Sequence, residues 1–207
     1  MIKNILFDMG GVLVRFDPDH FVRRTGITDP DDRLQLRREI YGSTDWVELD
    51  RGIIDDPIMI RRAEERLDPR LHPYIHELVS GWSSTHDEIP GMYELVEQLS
   101  RNYDLYLLTN ASLRHHTYWP EYRVSAFFGE NVFLSADYQL LKPDQEYFRR
   151  ALSTFGLKPE ECLFIDDSPA NAESAMRTGI HAVVFYGDAG RLRKDLQKHH
   201  ISIEQQG

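Results

Sequence analysis

The sequence is poorest in cysteine: Cys162 is the single one in 207 residues. One thiol excludes an internal disulfide framework and fits a reducing, cytoplasmic setting. Cys162 leads the apolar run "CLFI" and reads as a small buried residue rather than a nucleophile. Long hydrophobic runs are absent too. No stretch approaches the ~20 apolar residues a membrane helix needs, so no membrane partner is expected. The first residues lack a basic region followed by a long apolar core, and Asp8 interrupts the only candidate for a leader. Positive charge is scarce: 24 Lys and Arg stand against 34 Asp and Glu, a formal net charge of −10. That balance argues against nucleic acid as the main partner. An anionic small substrate stays possible, because a site can be locally positive inside a negative protein. Repeats and low-complexity segments are also missing.

What remains is enough chain for one full domain plus a small insertion. Four short apolar runs read as buried parallel strands: "NILF" at Asn4, "YDLYLLT" at Tyr103, "CLFI" at Cys162 and "HAVVF" at His181. A weaker fifth, "NVFLS", begins at Asn131. Helical patterns separate them. "GMYELVEQLSRN" places Met92, Leu95, Val96 and Leu99 on one face. "DQEYFRRALSTFG" gathers Tyr147, Phe148, Ala151, Leu152 and Phe155, with Asp144 to cap its start and Gly156 its end. "SPANAESAMRTG" has Ser168 as cap, a proline in its first turn and a closing Gly179. Strands alternating with helices predict a doubly wound, Rossmann-like α/β parallel sheet. Residues 17–85 break the rhythm: they hold no convincing strand and read as short amphipathic helices. The expected division is an α/β core domain of 1–16 and 86–207, with 17–85 as an all-α cap over the strand ends. The tail "ISIEQQG" is expected to fray.

The strand ends carry the chemistry. Asp8 follows the first strand, Thr109 and Asn110 the second, and Asp166 and Asp167 follow "CLFI". Lys142 stands before Pro143. In a parallel sheet these ends meet at one edge. Two adjacent aspartates facing a third make a hard oxygen site that favours Mg²⁺. Lys142 supplies fixed positive charge, and Thr109 and Asn110 supply hydroxyl, amide and backbone donors. These are the parts an anionic phosphoryl group requires. Metal and lysine together would let Asp8 attack a phosphate dianion and form an aspartyl phosphate. Gly10 and Gly11 allow a tight turn with backbone N–H groups near the phosphate.

"FDMGGVLV", "LLTN", "KPD" and "FIDDSPAN", in this order, resemble the four motifs of the haloacid dehalogenase-like (HAD) hydrolase superfamily, in its subfamily with a helical cap. The resemblance spans Met1 to about Phe185. It implies Asp8 as nucleophile and metal ligand, Thr109 and Asn110 on the phosphate, Lys142 neutralising charge, and Asp167 as main acidic partner of Mg²⁺ with Asp166 beside it. It also implies that the Gly10 backbone carbonyl ligates the metal. The finer pattern, "FDMGGVLVRFD", "TNASLRHHTYWP" and "LSADYQLLKPD", is similar to bacterial phosphatases that act on glucose 1-phosphate and related small esters. The implied partner is a small phosphate ester, and the implied assembly a monomer or homodimer. Gln139 stands where such relatives carry glycine.

Most phosphatases of this superfamily carry a second aspartate at the position of Gly10, which protonates the leaving group. General acid–base catalysis of that kind is worth ~10²–10⁴ in rate. Three readings follow: a leaving group that departs unaided, such as an anomeric oxygen; a stand-in among Asp17, His115, His116 or water; or a catalytically weak phosphometabolite binder. Metal-independent 2-haloacid dehalogenation also dispenses with the acid, but Asp166 beside Asp167 without a metal would repel a substrate carboxylate. Asn171 either hydrogen-bonds the acidic pair or is a polar residue of the first helical turn. Trp46, Trp82 and Trp119 are expected to pack rather than to meet substrate, and Arg15 and Tyr118 are candidates to touch a sugar.

Overall fold

The computed structural model describes residues 1–203. Five short strands form one parallel sheet: β1 (Asn4–Phe7), β2 (Asp104–Thr109), β3 (Val132–Leu134), β4 (Cys162–Asp166) and β5 (His181–Val184). Their order is β3-β2-β1-β4-β5, so β1 lies at the centre with all four residues buried. Alternate side chains face opposite sides. Ile5, Phe7, Leu163 and Ile165 enter one apolar cluster, and Leu6, Cys162 and Phe164 another. Both faces of the sheet are therefore covered, which is why these strands read as unbroken apolar runs instead of alternating ones.

Between β1 and β2 the chain forms α1 (Pro18–Arg24), α2 (Pro30–Ile40), α3 (Thr44–Asp50), α4 (Asp56–Arg66), α5 (His72–Ser80) and α6 (Met92–Leu99). After β2 come the one-turn α7 (His115–Tyr118) and α8 (Ser135–Tyr138), then α9 (Gln145–Phe155), α10 (Pro169–Arg177) and α11 (Ala189–Lys198). Met92, Leu95 and Leu99 of α6 and Leu192 and Leu196 of α11 cover one face of the sheet. Tyr147, Phe148 and Ala151 of α9 and Ala175 of α10 cover the other. Asp144 caps α9 through the Glu146 N–H at 3.0 Å, and Gly156 ends it at φ +66°, as the sequence predicts.

Helices α1 to α5 pack on each other, and their apolar interior is continuous with the first cluster of the sheet. Their two connections to the sheet pair side by side. Arg15 N–H donates to Asp87 O and Ile89 N–H to Leu13 O, both at 2.8 Å. Val14 bridges Glu88 on one side and Gly10 on the other.

Two expectations change. Ser168 occupies the cap position of α10 but makes no side-chain cap bond; the Asp166 carboxylate accepts the Ser168 N–H instead, at 2.8 Å. The tail does not fray from its start, because Ile201 is buried and the Ser202 N–H donates to the Tyr103 hydroxyl at 2.8 Å. Residues 204–207 of that tail lie outside the described residues. Gln139 takes the left-handed conformation, φ +56°, that a glycine adopts without strain.

Candidate active site

Register brings the reactive side chains together. Phe7 pairs with Leu107 on one side and Ile165 on the other, so the next residues, Asp8 and Asp166, emerge on adjacent strands at the carboxyl edge. The Asp8 N–H still donates to Ile165 O at 2.8 Å, which extends the ladder by one bond and fixes the direction of its carboxylate.

Lys142 lies between these two acids. Its ammonium is 2.7 Å from Asp8 Oδ1 and 2.8 Å from Asp166 Oδ2, with the side chain only 1% exposed. Burial alone would depress the Lys142 pKa; the two carboxylates outweigh it and hold the ammonium above its ordinary value. Burial pushes Asp8 up to about 7, against the pull of Lys142 and with the push of Asp166. Lys142 is itself held by Asn110, whose side chain donates to Lys142 O at 3.0 Å and accepts from Lys142 N–H at 2.9 Å. The Asn110 amide, expected on a phosphate, is thus committed to positioning Lys142.

Asp166 is also committed. Besides Lys142 and the Ser168 N–H, it accepts from Asn171 Nδ2 at 3.0 and 3.1 Å. Asn171 therefore bonds one member of the acidic pair, Asp166, and Asp166 orients Lys142 more than it offers open oxygens. Asp167 turns over Gly11: a Cβ there would lie 2.4 Å from Asp167 Oδ2, and Gly11 has φ +76°. Glycine is required at position 11 by both facts. The Gly11 N–H donates to Val14 O at 2.8 Å, so it is not free for a phosphate as expected. The Gly10–Val14 bridge uses that bond and Val14 N–H to Met9 O, leaving the Gly10 carbonyl out of it.

Asp8, Asp166 and Asp167 are the one group of three ligating side chains found among the described residues, with oxygens within 4.8 Å of one another. An all-oxygen donor set of this kind fits a hard cation such as Mg²⁺. Thr109 ends β2 and is buried beside these groups.

The three strand ends floor a cavity of about 230 Å³. Its walls come from the helical insertion and α7: Phe16, Trp46, Asp50, Trp82 and Tyr118. Trp46 and Trp82 pack against Phe16, with ring centroids at 5.8 and 5.2 Å, but they also face the cavity, contrary to the expectation of packing alone. Tyr118 lines it as anticipated; Arg15 does not and instead lies 3.9 Å from Asp87. Trp119 packs as expected, stacked on His115.

None of the expected proton donors lines this cavity. Asp17 caps α1 through the His20 N–H. His116 pairs with Asp137 at 3.0 Å in an exposed position. His115 is buried, and burial pushes it down to about 3. Asp50, which sequence reasoning passed over, does line it. A signal was present: Asp50 is the last residue of α3, where a carboxylate opposes the helix dipole.

Residues 2–179 match the family model described as haloacid dehalogenase-like hydrolase. The chain is 28% identical over 160 residues to flavin mononucleotide hydrolase 1 of Arabidopsis thaliana, covering 76% of this chain and 63% of that protein. It therefore spans less than two thirds of that relative's length. It is 25% identical over 190 residues to the D-ribitol-5-phosphate phosphatase of Bacteroides thetaiotaomicron, across 87% of this chain and 90% of the relative. The fold is similar to that of a HAD family enzyme of Bacteroides thetaiotaomicron solved with magnesium and inorganic phosphate. There the TM-score is 0.69 at 24% identity, over 93% of this chain and 99% of the other.

Proposed function

The chain belongs to the haloacid dehalogenase-like hydrolases, and from that premise we propose that it is a Mg²⁺-dependent phosphatase of small phosphate esters working through a phosphorylated Asp8. The observation that carries this reading is the buried Lys142 ammonium, 2.7 Å from Asp8 at the floor of a cavity that Asp167 also lines. A carboxylate attacks a phosphate dianion only if their repulsion is offset.

Asp8 and Asp167, with the Gly10 carbonyl, would hold the metal. When bound, Mg²⁺ supplies the charge that draws phosphoryl oxygens toward the nucleophile. Lys142 neutralises Asp8 and the incoming phosphate, Asp166 and Asn110 hold Lys142, and the Thr109 hydroxyl and the Asn110 main chain contact the phosphate. Residues 17–85 act as a cap over the core of 1–16 and 86–207, excluding water and selecting the leaving group.

Sugar phosphates, hexose 1-phosphates among them, suit the mixture of aromatic wall and polar groups in the cavity. The named activities of the two relatives, on flavin mononucleotide and D-ribitol 5-phosphate, support a phosphate ester carrying several hydroxyls.

A phosphate-release screen over sugar phosphates tests the reading. Release that needs Mg²⁺ and vanishes in Asp8→Asn is expected. Chloride release from 2-haloacids without metal would replace it with a dehalogenase, and binding without turnover with a phosphometabolite binder.

A further inference from the structure

Position 10 has no carboxylate, and the space beside it is taken. A Cβ on Gly10 would lie 3.2 Å from Phe16 Cβ, so the proton needed by a leaving group must come from elsewhere. The cavity is lined by three carboxylates among the described residues: Asp8, Asp167 and Asp50. The first two belong to the cluster of acids at the strand ends; Asp50 does not.

Asp50 is held in place by its own backbone. The Ser135 hydroxyl donates to Asp50 O at 2.5 Å, and Ser135 is tied in turn to the Ala111 N–H at 2.9 Å, one residue past Asn110. Two residues on, Gly52 (φ +72°) runs so close to α8 that a Cβ would lie 2.5 Å from Ala136 O. The end of α3 is thus pinned to the strand-end loops, and Asp50 lines the cavity that Asp8 also lines.

We propose that Asp50 is the proton donor to the leaving group, the part that Gly10 cannot play. This rests on the phosphatase reading above. In the first step an Asp8 oxygen forms a bond to phosphorus as the bond from phosphorus to the ester oxygen breaks. The electron pair goes to that oxygen, which takes the Asp50 proton and departs as an alcohol. In the second step the Asp50 carboxylate takes a proton from water. The water oxygen bonds to phosphorus, the Asp8–phosphorus bond breaks with its pair returning to Asp8, and phosphate leaves with Asp50 again protonated.

The environment suits the role. Burial favours the neutral carboxyl of Asp50, opposed by the Trp46 indole donor. The polar groups that share the cavity with it are Asp8, Asp167 and Lys142 from the strand ends, Trp46 from its own helix and Tyr118 from α7. Tyr118 is the other acid in reach, but burial drives it well above its ordinary range, too weak a donor near neutrality.

The test compares phenyl phosphate with p-nitrophenyl phosphate in the full chain with Mg²⁺. p-Nitrophenolate leaves with little help; phenolate needs a proton. Asp50→Asn is expected to lose ~10²-fold in kcat/KM on phenyl phosphate and under ~10-fold on p-nitrophenyl phosphate. Asp50→Glu, which keeps an acid, restores part of the larger loss. Equal losses on both esters, or no loss on phenyl phosphate, overturn the assignment. The wild-type chain gives a check free of folding effects. A shallow fall in kcat/KM as the leaving phenol weakens supports a donor, and a steep fall overturns it. Wild-type chain silent on both esters is a different result, which removes the phosphatase reading and this assignment with it.

Discussion

Lys142 carries the charge balance of the strand ends, since one buried ammonium serves Asp8 and Asp166 together. Removing one partner of a buried ion pair leaves an uncompensated charge, at a cost of about 3–5 kcal/mol. Lys142→Met keeps the volume and deletes the charge. It is expected to lower metal-free stability by that amount in urea unfolding at pH 8, with activity lost. The deficit should shrink by pH 5, where Asp8, already pushed up to about 7 with the lysine present, is protonated and needs no counter-charge. A deficit constant across that range would show that packing, not charge, is what Lys142 contributes. The same scale explains why the sequence made these residues legible. Asp8, Lys142 and Asp167 each sit directly after a short buried strand or before a proline, and the sheet converts those local positions into one cluster. Their division of labour was not legible. Nothing in "LLTN" says that the Asn110 amide turns toward Lys142 rather than outward.

At the scale of elements, α7 holds the one buried side-chain polar atom without a partner among the described residues. His115 Nε2 is buried without a partner, and the ring lies against Trp119, Tyr118 and His116. Burial lowers its pKa from 6.5 to about 3. A histidine whose pKa is lowered by folding costs nothing above its unfolded pKa and destabilises the fold as pH falls below it. Between pH 6.5 and about 3 the unfolded chain holds a proton that the folded chain refuses. Each pH unit there costs about 1.4 kcal/mol. His115→Phe keeps the stacking and removes the unpaired nitrogen, so its urea midpoint should fall less steeply from pH 7 to pH 4 than that of the wild type. Parallel curves would assign the acid sensitivity to another group. The helices of the insertion illustrate the limit of pattern reading. Amphipathic spacing in "DDRLQLRREIY" and "DPIMIRRAEERL" shows which face is apolar, but not what covers it. Trp46 and Asp50 fall between those two stretches, in the short α3, where two turns give too little periodicity to show that they line the cavity floored by Asp8.

For the whole molecule, the relation between insertion and sheet decides whether the cavity has walls. Gly52 brings the insertion close against α8, which follows β3: a Cβ there would lie 2.5 Å from Ala136 O, and φ is +72°. Gly52→Ala is expected to lift the α3 end from α8 and to reduce kcat/KM by ~10-fold or more, because a displacement of about 1 Å at a site costs up to 10²-fold. Near-normal turnover in a folded Gly52→Ala chain would mean that the insertion reaches its working position by other contacts. The doubly wound order of the sheet and the all-helical character of the insertion could be read from the sequence, because buried runs and their absence are local signals. That residue 50 shares a cavity with residue 8 could not, because no spacing rule joins two positions so far apart in the sequence.

Val14 has two neighbours, Gly10 in the loop after Asp8 and Glu88 on the returning stem. The three residues around Val14 therefore tie the turn after Asp8 to the stem on which the helical residues return, so the backbone that follows the acid and the backbone that leaves the insertion share one set of main-chain bonds.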